Sequence, residues 1–438
     1  MSRAGLAIAA LAIASAARAD NAVTPADHAD ALAALLARTD AIAREVASVR
    51  HLPLRHPIPN EVVDRDELRA RLEKEASDHK TAEQTRLDGI ALARWGLIPY
   101  DTDYTKLLID LLTDQIAGYY DPDTKKLTIS RSAGDDPEWA EMVLAHELDH
   151  GLQDQAYDLK KFDDLPDGED DAAAARHALE EGDGIALMIE VALERQGKDA
   201  PWADPAVAGA LIAAMSEDDG DSLDQAPLAV RESMLFPYRA GLAFVAALRR
   251  RGPWSAVDAA YKRPPRSTEQ IMHPEKYLAD EKPIPVRATA PKALDGYAIQ
   301  SSTVWGELGF QLFLRAHGVP ETTATIAAAG WGGDRAVILA RPDESRPDHV
   351  VGLARLAWDS EADAIEAYDA AVRAVDDAAP GATVEHGDVR TRWLALDGTQ
   401  AWVERRGTSI VIALGVPAPD AAGLLDEAWT ATTVGSAR

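Results

Sequence analysis

The chain has 438 residues, 47% of them hydrophobic, with 45 Lys or Arg against 73 Asp or Glu, a formal net charge of −28, and no cysteine. The absence of cysteine excludes disulfides, thiolate catalysis and Cys-ligated metals, so any bound metal must be held by His, Asp or Glu. The acidic balance argues against nucleic acid as a partner, because phosphate backbones repel such a surface, and the ordinary apolar content is that of a globular chain long enough for two or three domains.

The N-terminus carries Arg3, then an uncharged run from Ala4 to Ala17, then Ala17-Arg18-Ala19 in the small-x-small pattern of a cleavage site. Residues 1–19 therefore read as a secretory signal peptide. The run is too short to be a membrane span, which needs about 20 residues. The mature protein is expected to be periplasmic or secreted, with no membrane span, and its oligomeric state is not encoded in any visible pattern.

Beyond the signal, Leu32, Leu35, Leu36, Ile42, Val46 and Val49 recur at mostly helical spacing over 28–50. The proline-rich stretch His51 to Pro59 ends that helix. Asp64-Arg65-Asp66-Glu67 has the form of a helix start, and the pattern predicts helices to about Lys80, over 82–95 and over 103–116. The period then changes. Residues 116–120 and 126–130, joined by Asp121-Pro122-Asp123-Thr124, predict strand, turn and strand. Asp136-Pro137 supplies an N-cap and an N1 proline for a helix over 137–155. An acidic loop from Asp158 to Asp171 leads to a long helix over 172–196, and 204–278 is mostly helical.

Glu281 to Lys292, rich in proline and charge, marks a boundary. After it, strands are predicted at 336–340, 350–358, 389–396, 400–405 and 408–415, and helices at 303–316, 360–377 and 419–430. Trp331-Gly332-Gly333-Asp334-Arg335 reads as a glycine-rich turn whose tryptophan packs the domain junction. The fold class is α+β: a signal peptide (1–19), an N-terminal helical region (20–95), a mainly helical domain with a small β-hairpin (96–285), and a smaller α+β domain (286–438).

The informative segment is His146-Glu147-Leu148-Asp149-His150, an HExxH motif. At 3.6 residues per turn the two histidines share a helix face and can chelate one ion. Glu147 lies one residue round from that face, placed to deprotonate a water there. The preceding turn, Met142 to Ala145, is apolar, as a core-embedded helix requires. A third ligand is needed for a catalytic zinc. The next chemistry-bearing cluster is His177-Ala178-Leu179-Glu180-Glu181-Gly182-Asp183.

Together these two segments resemble the HExxH zinc metallopeptidases of the gluzincin type, which carry their third ligand as a Glu on a second helix. The resemblance implies a zincin-like fold for the domain at 96–285. It also implies one zinc ion held by His146, His150 and Glu181, with Glu180 the alternative ligand, and Asp183 accepting a hydrogen bond from a ligand imidazole. Gly184 departs from the pattern, where Ala is commoner. Gly118-Tyr119-Tyr120-Asp121-Pro122, Pro237-Tyr238-Arg239-Ala240-Gly241 and Ser267 to Pro274 resemble a group of poorly characterised bacterial HExxH proteins over about residues 60–335. A donor for the oxyanion is also required; Tyr238 and His273 lead the candidates, although Ser267 and Gln270 form a capping box and nothing more is demanded of their helix. The expected activity is hydrolysis of a peptide or protein substrate with Glu147 as general base. The alternative is an envelope binding or assembly protein whose zinc is structural or idle.

Overall fold

The computed structural model describes residues 25–214, 221–342, 344 and 346–435. The signal-peptide reading of residues 1–19 falls outside them. The fold is mixed α+β, with a large helical part followed by a sheet domain.

The chain opens with α1 (Pro25–Leu36) and α2 (Thr39–Arg50). The sequence predicts one helix here; the chain breaks it where the Thr39 hydroxyl turns back to the Leu36 carbonyl at 2.7 Å. After the prolines comes β1 (Asn60–Val63), too short for a period-2 pattern to announce it. Next are α3 (Arg65–Ala76), α4 (His79–Arg94) and α5 (Tyr104–Gln115), whose N-caps Asp64, Asp78 and Asp103 each accept from backbone N–H groups of the first turn. The hairpin β2 (Gly118–Asp121) and β3 (Lys126–Ser130) follows where the alternation predicts it. β1 pairs parallel to β3, giving the order β1-β3-β2, so β2 is an edge strand.

Asp136 caps α6 (Pro137–Tyr157), accepting from Glu138 N and Trp139 N. A short helix, α7 (Leu159–Phe162), interrupts the acidic loop before the 26-residue α8 (Asp170–Arg195). Then come α9 (Pro205–Ala214), α10 (Asp221–Asp224), α11 (Leu228–Arg249), α12 (Ser255–Lys262), α13 (Thr268–Met272) and α14 (Pro274–Leu278). α6, α8 and α11 share a core that includes Leu144, Leu148, Leu179, Leu187, Leu242 and Phe244. α8 and α11 touch backbone to backbone: a Cβ on Gly182 would lie 2.1 Å from the Gly241 carbonyl carbon.

The C-terminal part contains β4 (Val286–Ala288), β5 (Ala298–Thr303), α15 (Gly306–Ala316), α16 (Glu321–Ala328), β6 (Trp331–Ala340), β7 (Val351–Trp358), α17 (Glu361–Ala378), β8 (Gly381–Glu385), β9 (Arg390–Ala395), β10 (Thr399–Arg406), β11 (Ser409–Pro417), α18 (Ala421–Ala431) and β12 (Thr432–Val434). Seven strands form an antiparallel sheet in the order β5-β6-β7-β11-β10-β9-β8, and β12 pairs with β4. α15, α16 and α17 cover one face of the sheet, burying Phe310, Phe313, Ile338 and Trp358. α18 covers the other, with Leu424 against Leu339, Leu353 and Val411.

One reading is corrected here. Trp331 to Arg335 is no turn: it is the first half of β6, with a bulge between Trp331 and Gly333. The glycines are there because Ile284 crosses the strand, and a Cβ on Gly333 would lie 2.1 Å from the Ile284 carbonyl oxygen. Trp331 is buried and its indole N–H donates to Asp334 at 3.0 Å. α4 and the residue after it also reach the sheet domain. Ile90 and Trp95 pack into the core of the sheet domain, with Trp95 edge-on to Trp305 at 4.7 Å.

Candidate metal centre

α6 and α8 cross so that the faces bearing His146, His150 and Glu181 meet. His146 Nε2 lies 3.0 Å from Glu181 Oε2, His150 Nε2 lies 3.0 Å from His146 Nε2, and His150 Nε2 lies 3.6 Å from Glu181 Oε2. Tetrahedral ligands at zinc bond lengths stand roughly 3.3 Å apart, so the three donor atoms have the mutual spacing that a first-row cation requires. All three side chains are buried. Two ring nitrogens and a carboxylate brought this close together form a set of donors suited to a metal.

The rings are oriented from behind. Gln153 donates through Nε2 to Asp149 Oδ2 at 2.7 Å and to the Glu180 carbonyl at 3.2 Å. That fixes its amide, so Oε1 accepts from His150 Nδ1–H at 3.1 Å and turns His150 Nε2 toward the other two donors. Gly184 is explained in the same way. A Cβ there would come within 2.7 Å of His146 Cε1, so the imidazole occupies the space an alanine would need.

Asp183 does not take the role the resemblance implies for it. Two residues from Glu181, it points to the opposite side of α8. There it meets Arg50, whose Nε and Nη2 donate to its two oxygens at 2.8 and 2.9 Å, and Tyr261, whose hydroxyl donates at 3.0 Å. Arg50 also reaches Asp258 at 2.8 Å and lies over the Trp254 ring. This fully buried ion pair ties α2 and α12 to the ligand helix. Asp149 stands beside it; burial and the neighbouring Asp183 charge push its carboxyl up to about 8, partly offset by Arg50.

Burial disfavours charge on both ligand rings. In His150 the Glu181 and Glu147 carboxylates outweigh it and hold the ring well above its ordinary pKa, whereas His146 is held below. Burial acts upward on Glu181 too, but the two rings outweigh it and keep this carboxylate far down in the acid range, ionised as a ligand must be. Glu147 is fully buried, and both its oxygens are without a hydrogen-bond partner; burial pushes it up to about 8. Its Cγ lies against β2, since a Cβ on Gly118 would meet it at 3.3 Å.

Of the three donors, His150 reaches a cleft of about 1250 Å³ between the helical part and the sheet domain, lined also by His177, Glu180 and Tyr238 and by Tyr119 to Asp123 of the edge strand and its turn, while His146, Glu181 and Glu147 are buried behind that lining. Tyr238, buried on α11, thus shares that lining. His273 does not: its Nε2 is 2.9 Å from Glu307 Oε1, and it stands outside the lining. Glu180 is turned to the cleft, and its carboxylate is not among the converging donors. Sequence reasoning passed over Gln153, whose i+3 spacing from His150 was a visible signal; it named His177, one turn before Glu181, without giving it a role, and His177 Nε2 is 3.7 Å from Glu181 Oε1.

A family model described as "Domain of unknown function (DUF8575)" matches residues 296–426, within the sheet domain and away from the metal donors. No curated protein and no solved structure matches the chain. Among the described residues, no helix is long and apolar enough to cross a membrane.

Proposed function

We propose that the protein is a zinc-dependent peptidase. The observation that carries this reading is the convergence of His146, His150 and Glu181 on one point, with an unpartnered Glu147 carboxylate from the same helix turn buried beside it. Two neutral imidazoles and one carboxylate are the donor set of a hydrolytic zinc. Zinc held there would acidify a water and polarise a substrate carbonyl.

The chain's own groups supply the rest. Glu147, which burial holds toward its neutral form until a cation beside it favours the carboxylate, then takes a proton from the attacking water and passes it to the leaving amine. β2 has one unpaired edge on the cleft, where an extended peptide can add as a further strand through main-chain hydrogen bonds. Tyr238, a residue of the cleft wall, is the candidate donor to the developing oxyanion. His273 has no support in that role, because Glu307 engages its ring.

Replacing Glu147 with Ala is expected to abolish peptide hydrolysis, by at least roughly a hundredfold, while zinc remains bound at one equivalent. A peptide-library digest alongside metal analysis checks this. Full activity in the variant would remove the base and with it the reaction proposed.

A further inference from the structure

Glu180 contributes no donor to the cation, yet it is only 4% exposed and forms part of the cleft wall. Its carboxylate is matched on one side only. Oε2 has the His177 ring as an ion-pair neighbour at 3.9 Å, too long for a hydrogen bond, and Oε1 is buried with no hydrogen-bond partner. A buried carboxylate oxygen left in that condition is unfavourable until a donor reaches it, and a cationic donor is the most effective.

The charge around it selects the sign of that donor. Nine acidic side chains line the cleft, Asp171 among them, against three Lys or Arg side chains and the two histidines His150 and His177. Two of those three cations are already engaged: Arg71 donates to Glu61 and Glu67, and Lys160 pairs with Asp123. The field inside the cleft therefore attracts cations and repels acidic segments.

We infer that the cleft selects peptides with a Lys or Arg side chain next to the bond to be cut, and that Glu180 is the anchor for that side chain. The inference rests on the peptidase reading and adds its substrate class. Glu180 directly precedes Glu181 on α8, which puts the anchor beside the cation position. The apolar stem of the lysine or arginine runs along lining supplied by Leu108, Leu112 and Tyr238, leaving its charged head for the carboxylate.

The test uses the full chain with one equivalent of zinc in a Glu147→Ala background, so that peptides bind without turnover. Fluorescent peptides of equal length carry arginine or its neutral isostere citrulline, and anisotropy reports affinity. Arginine is expected to bind roughly tenfold or more tightly than citrulline. Adding Glu180→Gln should bring the two within about twofold, with zinc content unchanged.

Equal affinities, no binding of either peptide, or an arginine preference that survives Glu180→Gln overturns the inference. So does displacement of the arginine peptide by a second equivalent of zinc, which would make Glu180 a metal ligand. Turnover by the wild-type chain separates the two readings. Cleavage without basic preference leaves the peptidase and removes the anchor; selective binding without cleavage keeps the anchor and removes the peptidase.

Discussion

Glu180 and Glu181 are sequence neighbours, but one hundred degrees of helix rotation separates their roles. Glu181 Oε2 stands 3.0 Å from His146 Nε2, whereas Glu180 faces the cleft. Glu181→Ala is therefore expected to lower zinc affinity by more than the roughly 10- to 100-fold that loss of an outer-shell partner alone brings. Glu180→Ala should hold zinc almost as the wild type does, because the Gln153 contact to residue 180 uses the backbone carbonyl. Metal-to-protein ratios after dialysis decide it, and the reverse order would exchange the two assignments. At this scale the HExxH pair was legible because chelation by i and i+4 is a local property of one helix. Arg50 was not: its partner Asp183 lies 133 residues away, and nothing local in either segment marks the pairing. Asp183 was misassigned for a related reason. Its proximity in sequence to the ligand says nothing about which side of α8 it occupies.

The ligands come from α6 and α8, so the centre depends on where α8 is held, and α11 holds it. Gly182 and Gly241 meet at the crossing, and a Cβ on Gly241 would lie 2.0 Å from the Ala178 carbonyl oxygen. Gly241→Ala would gain up to about 1 kcal/mol in helix propensity. The helices must separate to admit the methyl group, and overpacking of this kind costs about 1–3 kcal/mol or more. The variant is expected to unfold at lower urea and to retain less zinc than the wild type, measured on the same samples. Raised stability with full zinc content would show that the crossing does not position the ligand. Helices were the readable elements, since their period and their Asp caps at 64, 78, 103 and 136 are both written locally. Short strands were not. β1, β4 and β12 have three or four residues, too few for alternation, and exist through distant partners. β8 is largely exposed and β5 mostly polar, so neither carries a clear apolar face. The first half of β6 hid behind two glycines that serve a neighbour rather than a turn, while its second half is the strand read at 336–340.

At the level of the molecule, two cores meet across the cleft, and the seam between them contains buried carboxylates. The sequence showed the change of composition near 281–292, but which faces meet is set by shape complementarity that no periodic pattern records. Asp171, at the N-terminal end of α8, is part of this seam. Its Oδ1 accepts from Thr268 N at 3.0 Å and from the Thr268 hydroxyl at 2.6 Å, while Oδ2 is buried without a partner. Burial pushes the carboxyl up to about 7; the Thr268 bonds act against this, and Asp334 and Glu307 reinforce it. In the unfolded chain the same group titrates near the ordinary aspartate value of about 3.9. Below that pH it is protonated in both states and the seam bears no penalty. As pH rises, the unfolded chain releases its proton first, so the stability associated with the neutral group is progressively lost until the folded form also ionises near 7. Asp171→Asn keeps a neutral acceptor for Thr268 and cannot ionise. Relative to the wild type it should gain stability between pH 5 and pH 8, by up to about 2.6 kcal/mol. Urea midpoints of both chains at those two pH values provide the measurement. A gap that stays constant or narrows would mean that the folded seam tolerates the Asp171 charge as well as water does.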